Sequence, residues 1–341
     1  MRNPAGRVLA FVAMTLVVLA AKAAAPDVLR LSITEGRVQN FLYRSGPVAA
    51  HVVVTGGTEP RLLVAFPAGN SGVGLWFGRS ATPVNWRVDS VEPVSRDDPQ
   101  GRRLHGVVVA ATVDAPLAIR DALLGSVRSL RDFQATGAYP EQLRAAASVS
   151  GQGVEWARAR IDGAAGYSLS IAAENGRVGG GSGSPLRLEA LNAAGPLRLR
   201  ITALTGETPL TPLGTGELLT KDANDDPRSR DVLGFLSYRE KFLAGSWRFD
   251  TYFGRDTLLS LQLLRPVLQP PAIESGITAV LQRLAPNGEV AHEEDIGLAA
   301  EGEYTLWQEY PAGGERIRAH SGQTVRWAVP GETAIVLRLA P

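Results

Sequence analysis

Cysteine is absent from this 341-residue chain, and histidine and methionine are scarce, with four and two residues. Without cysteine the chain forms neither disulfide bonds nor thiolate metal sites, so its stability must come from packing. An excess of one charge is also lacking, because 35 basic residues nearly balance 34 acidic ones. Proteins that bind nucleic acid usually carry a basic face. The composition therefore argues against a nucleic-acid partner and is typical of a globular protein.

The hydrophobic run near the N-terminus is short. It covers residues 8–21, follows Arg2 and Arg7, and is followed by Ala-Lys-Ala at residues 21–23. A membrane-spanning helix needs about 18 or more apolar residues, whereas this pattern is typical of a cleaved signal peptide. We therefore predict a signal peptide at residues 1–25, an exported protein in the periplasm or outside the cell, and no stable membrane anchor. An uncleaved anchor is the alternative.

Most of the chain that follows has the pattern of β-strands. Short runs rich in branched residues occur at 51–54, 62–66 and 107–113, and apolar residues alternate with polar ones around residues 197–201. Such runs indicate strands, and their succession predicts an antiparallel β-sandwich over residues 27–218. Apolar residues at helical spacing predict one helix at 117–134. The loop at 67–72 is interpreted either as a turn or as a source of backbone donors for a ligand.

A polar stretch broken by Pro227 predicts a linker at residues 219–230. Its Asp222, Asn224 and Asp226 have the spacing of a calcium loop, but Pro227 replaces the required glycine. Beyond it the apolar residues recur at helical spacing in three short segments, and residues 231–302 are predicted to be helical. Residues 303–341 return to alternation and predict a C-terminal β-hairpin.

The segment from residue 238 to 257 combines aromatic rings with forked hydrogen-bonding groups. The side chains of interest are Trp247, Arg248, Tyr252, Arg255 and Asp256. A sugar ring offers an apolar face to an aromatic side chain and a rim of hydroxyl groups to guanidinium and carboxylate groups. This mixture therefore favours sugar binding. The alternative is an ordinary salt bridge at the start of a helix.

The Gly-Arg-Asp-Thr sequence at residues 254–257 resembles the first hairpin of six-hairpin, (α/α)6-barrel glycoside hydrolases of the glycogen-debranching and glucoamylase type. The resemblance implies that Arg255 and Asp256 bind the terminal sugar in the innermost subsite. It covers about the middle fifth of the chain. By this resemblance the fold class is α+β multidomain: an N-terminal antiparallel β-sandwich, an incomplete (α/α)6 barrel and the C-terminal hairpin.

An acidic cluster at residues 292–295 resembles a later loop of the same family. His292 is assigned to substrate binding, and Glu293 and Glu294 are the catalytic candidates, since glycoside hydrolysis uses two carboxyl groups. Neighbours in sequence cannot lie on opposite sides of one sugar, so these two cannot form the pair by themselves. A metal site lacks a second ligand group, and an acidic turn in solvent is the remaining alternative. No metal and no cofactor is predicted.

The helical segment is too short for a complete barrel. A dozen helices of about 10–14 residues with their loops would need about 170 residues or more. The general acid and base of the family come from later hairpins, which no positions here match. We therefore predict a secreted glycoside hydrolase-like protein that acts on or binds α-glucans or oligosaccharides and has lost hairpins. The alternative is a non-catalytic carbohydrate-binding or structural β-sandwich protein, and the oligomeric state stays open.

Overall fold

The computed structural model describes residues 28–283 except 161, 162, 182 and 246. It also describes the backbone of three short segments further on, at 293–294, 324–327 and 335–338. The predicted signal peptide at residues 1–25 lies outside the described residues. No helix within the described part of the chain is long and apolar enough to span a membrane.

The larger of two antiparallel sheets has eight strands in the order β1-β2-β3-β4-β5-β8-β13-β12. Four consecutive hairpins join its first five strands, so each of these strands pairs with its neighbour in sequence. The strands are β1 (Val28–Glu35), β2 (Val38–Ser45), β3 (Val48–Thr55), β4 (Arg61–Phe66), β5 (Ser71–Phe77), β8 (Leu117–Ser126), β12 (Gly176–Gly181) and β13 (Ser184–Ala190).

The second sheet has six strands in the order β6-β7-β14-β11-β10-β9. They are β6 (Trp86–Asp97), β7 (Arg103–Val113), β9 (Ser148–Ser150), β10 (Gly153–Arg158), β11 (Tyr167–Ala173) and β14 (Leu197–Thr205). Two further antiparallel pairs stand apart from the sheets. They join β15 (Tyr252–Phe253) to β16 (Glu293–Glu294), and β17 (Thr324–Trp327) to β18 (Ile335–Arg338).

The main hydrophobic core lies between the two sheets. Branched residues that alternate along the strands, such as Val52 and Val54 of β3, meet Val107 and Val109 of β7, and all four are inaccessible to solvent. Alternate residues of a strand point to the same face, so each strand contributes one row of side chains to this core. The burial of these rows makes the protein a two-layered, sheet-rich fold of the β-sandwich kind.

Five helices are described, and all are short. They are α1 (Val127–Thr136), α2 (Thr215–Leu218), α3 (Pro227–Leu236), α4 (Gly254–Leu264) and α5 (Pro270–Leu281). Helix α1 begins at Ser126, whose hydroxyl accepts a hydrogen bond from the Ser129 backbone, and ends at Gly137 with φ 73°. It covers the outer face of the larger sheet.

The prediction of one helix over residues 117–134 is wrong in its first half. Residues 117–126 form β8, which pairs with β5 and β13, and only the part from Val127 onward is helical. The apolar residues at 117, 119 and 123 suit a strand face as well as a helix face. Residues 117–126 form a strand because β8 lies between β5 and β13 and makes backbone hydrogen bonds to both.

The predicted α+β fold class with a partial (α/α)6 barrel is also wrong. The chain is mainly β, and its two sheets dominate the described residues. Helix α3 packs on β1 and β2 through Phe235 and Leu29, and α4 packs on α5 where Leu261 meets Gly276. Apolar spacing identified helical segments but gave no partner for them. The larger sheet provides that partner for α3, and no (α/α)6-type helical segment is evident among the described residues.

Candidate functional site

The aromatic loop at residues 243–253 is anchored to the larger sheet. Its two ends are held together by a bridge between Leu243 and Tyr252 and by the Ala244 N–H, which donates to the Thr251 carbonyl at 3.2 Å. At the tip, the Gly245 N–H donates to the Phe249 carbonyl at 3.0 Å. Tyr252 leads directly into α4. The loop is therefore a narrow hairpin that turns back before the helix begins.

His51 of β3 fixes the inner side of this loop. Its Nδ1 accepts a hydrogen bond from the Trp247 backbone N–H at 3.0 Å, and its Nε2 lies 3.1 Å from the Asn40 side-chain oxygen. The ring therefore carries its proton on Nε2. Burial lowers the pKa of His51 to about 3, so the ring is neutral near pH 7.

Two of the four aromatic rings in this loop, those of Trp247 and Tyr252, lie inside the protein, and Phe253 is half-buried. The Trp247 indole packs with Trp76, Leu63 and Phe133 and is only 9% exposed. Tyr252 is completely buried, and the Arg283 guanidinium lies 4.7 Å from its ring centre. Neither ring can act as the sugar platform that the sequence suggested. Phe249, 48% exposed, is the ring that this loop presents to solvent.

Arg255 and Asp256 lie on the first turn of α4. The Arg255 Nε and the Asp256 Oδ1 are 2.9 Å apart, and the two side chains are 68% and 42% exposed. The carboxylate is also near the positive end of the helix dipole, a favourable position for an acidic group. Both groups are therefore paired with each other and still open to a ligand.

The acidic cluster is described only in part. Glu293 and Glu294 form β16 and pair with Phe253 and Tyr252, so their backbone lies beside the start of α4. Their side chains and the whole of His292 lie outside the described residues. The role predicted for these three residues stays a prediction. Among the described residues, no group of three or more His, Cys, Asp or Glu side chains could hold a metal ion.

Three arginines lie near this loop, and the sequence predicted a binding role for only one of them, Arg248. The Arg248 guanidinium lies 5.0 Å from the Trp247 ring centre, and Arg131 of α1 lies 5.8 Å from the Phe249 ring centre. Arg131 also donates to the Arg248 carbonyl at 3.4 Å. Arg61 opens β4 on the same side of the sheet. Strand register and helix packing bring them together, so no local motif could have indicated the cluster.

The loop at residues 67–72 has no access to a ligand. Residues 68–72 are buried, and Gly69 has φ 62° with the Glu207 side chain against its backbone. Glu207 accepts hydrogen bonds from Arg160 Nη1 at 2.7 Å and from the Tyr167 hydroxyl at 2.9 Å. These interior contacts favour the turn interpretation, and the loop connects β4 to β5 within the larger sheet.

A small cavity lies elsewhere, between β1, β2 and helices α2 and α3. It encloses about 80 Å³, and Arg44, Leu213, Leu218 and Arg230 are among its lining residues. Neither Arg255 nor Asp256 lines it. The sequence did not predict a hollow at this place.

No family model, no curated protein and no solved structure matches this chain. Together with the two antiparallel sheets, this overturns the resemblance to six-hairpin glycosidases and the glycogen-debranching and glycoside-hydrolase activities inferred from it. The motif at residues 254–257 is too short to specify a fold. The architecture defines a β-sandwich protein, which fits the non-catalytic alternative better.

Proposed function

We propose that this protein is a non-catalytic carbohydrate-binding β-sandwich and that it binds its ligand on the surface formed by the aromatic loop and the first turn of α4. The observation that carries this proposal is the exposed Arg255–Asp256 pair, with 2.9 Å between Nε and Oδ1. A guanidinium beside a carboxylate can donate to one sugar hydroxyl and accept from its neighbour. When a sugar binds, its hydroxyl groups replace the water molecules that hydrate these two side chains.

Phe249 supports the same surface. Its ring is 48% exposed on the loop that runs into α4, so it is available to a ligand. An aromatic ring can cover the C–H face of a pyranose while polar groups bind its hydroxyls. The bulk of the protein then acts as a rigid support, since His51 and the core around Trp247 hold the loop.

The proposal uses no bond cleavage, and Glu293 and Glu294 have no part in it. The exported location expected from residues 1–25 stays a proposal, and an exported protein would meet polysaccharides of the cell surface. A purely structural role is the second candidate. It is favoured by the fact that Arg255 and Asp256 already satisfy each other on one helix turn.

Calorimetric titration with maltooligosaccharides and other oligosaccharides tests the proposal. Arg255→Ala and Asp256→Asn should each weaken binding by about tenfold, because each removes a charge-assisted hydrogen bond. Arg265→Ala is the matched control, since Arg265 is exposed at the other end of α4. Equal affinities for Arg255→Ala and Arg265→Ala would contradict the assignment. An absence of binding to any oligosaccharide would favour the structural role.

A further inference from the structure

A basic surface that includes Arg61 lies near the aromatic loop, separate from the Arg255–Asp256 pair. Arg61 lies directly opposite Trp76 in the β4–β5 pair, and Leu63 is two residues further along β4. Residues directly opposite each other, and residues two apart in a strand, share one face of a sheet. The Arg61 side chain therefore lies on the face where Leu63, Trp76 and Trp247 form one cluster.

Arg248 and Arg131 approach the same place from the loop and from α1. Arg248 stacks on Trp247 at 5.0 Å, and Arg131 lies 5.8 Å from the centre of Phe249. Burial lowers the pKa of Arg61, and the positive charge of Arg248 lowers it further. Repulsion between like charges destabilises the surface when no ligand is bound.

These cations are poorly matched by acids. No carboxylate of the described residues lies within 4.0 Å of Arg61 or Arg248, and Arg61 Nε is buried without a hydrogen-bond partner there. Arg131 has Asp132 at 3.8 Å, and Glu59 attracts Arg61 from further away. A buried donor without a partner lowers the stability of the folded protein. An anion beside Arg61 and Arg248 would supply the negative charge that the described carboxylates do not supply there.

We propose that Arg61, Arg248 and Arg131 form an anion site and that its ligand is a polysaccharide with carboxylate-bearing sugars. The carboxylate lies between the Arg61 and Arg248 guanidinium groups, and the sugar ring lies against the exposed part of Phe249. The inference rests on the proposed function, since it names the class of carbohydrate. Arginine is suited to this role because its planar fork matches a carboxylate in two hydrogen bonds.

The local charges favour an acidic sugar over a nucleic acid. Glu59 and Asp132 flank the cluster, so the positive region is narrow and suits separated carboxylates more than a continuous phosphate chain. Over the whole chain the basic and acidic residues nearly balance, at 35 and 34. Nucleic-acid binding usually needs a basic stripe with many phosphate contacts.

Calorimetry with tetragalacturonic acid, its methyl ester and maltotetraose tests the inference. The acid should bind about tenfold more tightly than its uncharged ester, and Arg248→Gln should remove this preference. Phe249→Ala should weaken binding of the acid and the ester alike. Arg228→Gln is the control, because Arg228 is an exposed arginine on α3. Arg61→Gln should act as Arg248→Gln does, and the exposed Arg248 variant decides the test if Arg61→Gln fails to fold.

Each outcome points to one conclusion. If the acid and the ester bind equally well and Arg255→Ala weakens their binding, the anion site is overturned but the proposed function is kept. A short single-stranded oligonucleotide that binds more tightly than tetragalacturonic acid overturns the sugar as ligand. No binding of any of the oligosaccharides overturns both proposals. Three results together support the inference. The preference for the acid weakens from about 0.05 M to about 0.5 M salt. Arg248→Gln loses this preference, and Arg228→Gln keeps it.

Discussion

His51 and Trp247, almost two hundred residues apart in sequence, are joined by a hydrogen bond of 3.0 Å from the Trp247 backbone N–H to the imidazole Nδ1. The bond connects the centre of the larger sheet to the loop that carries Arg248 and Phe249. Because Nδ1 must be unprotonated to accept it, the bond exists only while His51 is neutral. The position of the loop is thereby linked to pH.

Acidification should destabilise the protein through His51. Its pKa is about 3 in the folded state and 6.5 ordinarily, so between these values the unfolded chain binds the extra proton. The free energy of unfolding therefore falls as the pH falls below 6.5, by about 2 kcal/mol from about pH 8 to about pH 5. Chemical denaturation of the protein and of His51→Gln at both values measures it. His51→Gln should lack this part of the loss, and parallel pH profiles would contradict the prediction.

Removal of the Glu207 carboxylate should be severe. Glu207→Ala leaves the Arg160 guanidinium, which is only 6% exposed, without the acid that lies 2.7 Å away. Breaking a buried pair on one side typically costs about 3–5 kcal/mol. Urea unfolding followed by tryptophan fluorescence measures this loss.

The control for Glu207 is an exposed ion pair. Glu92→Ala removes the partner of Arg30 at 3.2 Å, where both side chains are more than half exposed. Solvent screens such a pair, and its loss should cost less than about 1 kcal/mol. Similar losses for the two variants would show that the buried Arg160–Glu207 pair contributes no more to stability than an exposed pair does.

Gly234→Ala should stabilise the protein. Gly234 lies inside α3, and an added Cβ would meet Leu29 at 3.6 Å, which is an ordinary contact. Alanine in a helix interior is favoured over glycine by about 0.5–1 kcal/mol. Thermal unfolding should show a raised midpoint. In contrast, Gly36→Ala should lower it, since Gly36 has φ 59° in the turn between β1 and β2.

The exposed leucines of α4 should promote association between copies of the protein. Leu259 and Leu263 are 48% and 78% exposed and lie four residues apart on one side of the helix. The double variant Leu259→Gln, Leu263→Gln should elute later on size-exclusion chromatography at high concentration. Its unfolding free energy should change by less than about 0.5 kcal/mol per site. An unchanged elution over the same concentrations would contradict the prediction.

Local sequence pattern located many of the strands but misjudged other elements. The branched runs at 51–54, 62–66 and 107–113 lie within β3, β4 and β7, because such runs are stable only where both sides are covered. The apolar residues of 117–126 fit the spacing of a helix as well as that of a strand, and pairing with β5 makes this segment a strand. The helices at 227–281 lacked any local sign of what they pack against.

The candidate site illustrates the same limit. Arg255 and Asp256 are neighbours in sequence, so their proximity on one helix turn needed no tertiary information. Trp247 and Tyr252 looked equally available as ring platforms, yet both are buried. The orientation of a ring depends on the surface that receives it, and that surface comes from β3, β4 and α1. Sequence composition in a loop cannot supply this.

The sequence by itself determined the absence of disulfides, the near-balance of charge and the alternation that buries one face of many strands, because these depend only on residue types and their spacing. Only the tertiary structure decided that Phe249 faces solvent, that Trp247 lies against His51, and that Arg61 and Arg248 lie on the same side of the larger sheet, around Trp76 and Trp247. The physical reason is range. Periodicity acts between near neighbours, whereas burial and the meeting of charges depend on strand pairs and helices far apart in the chain.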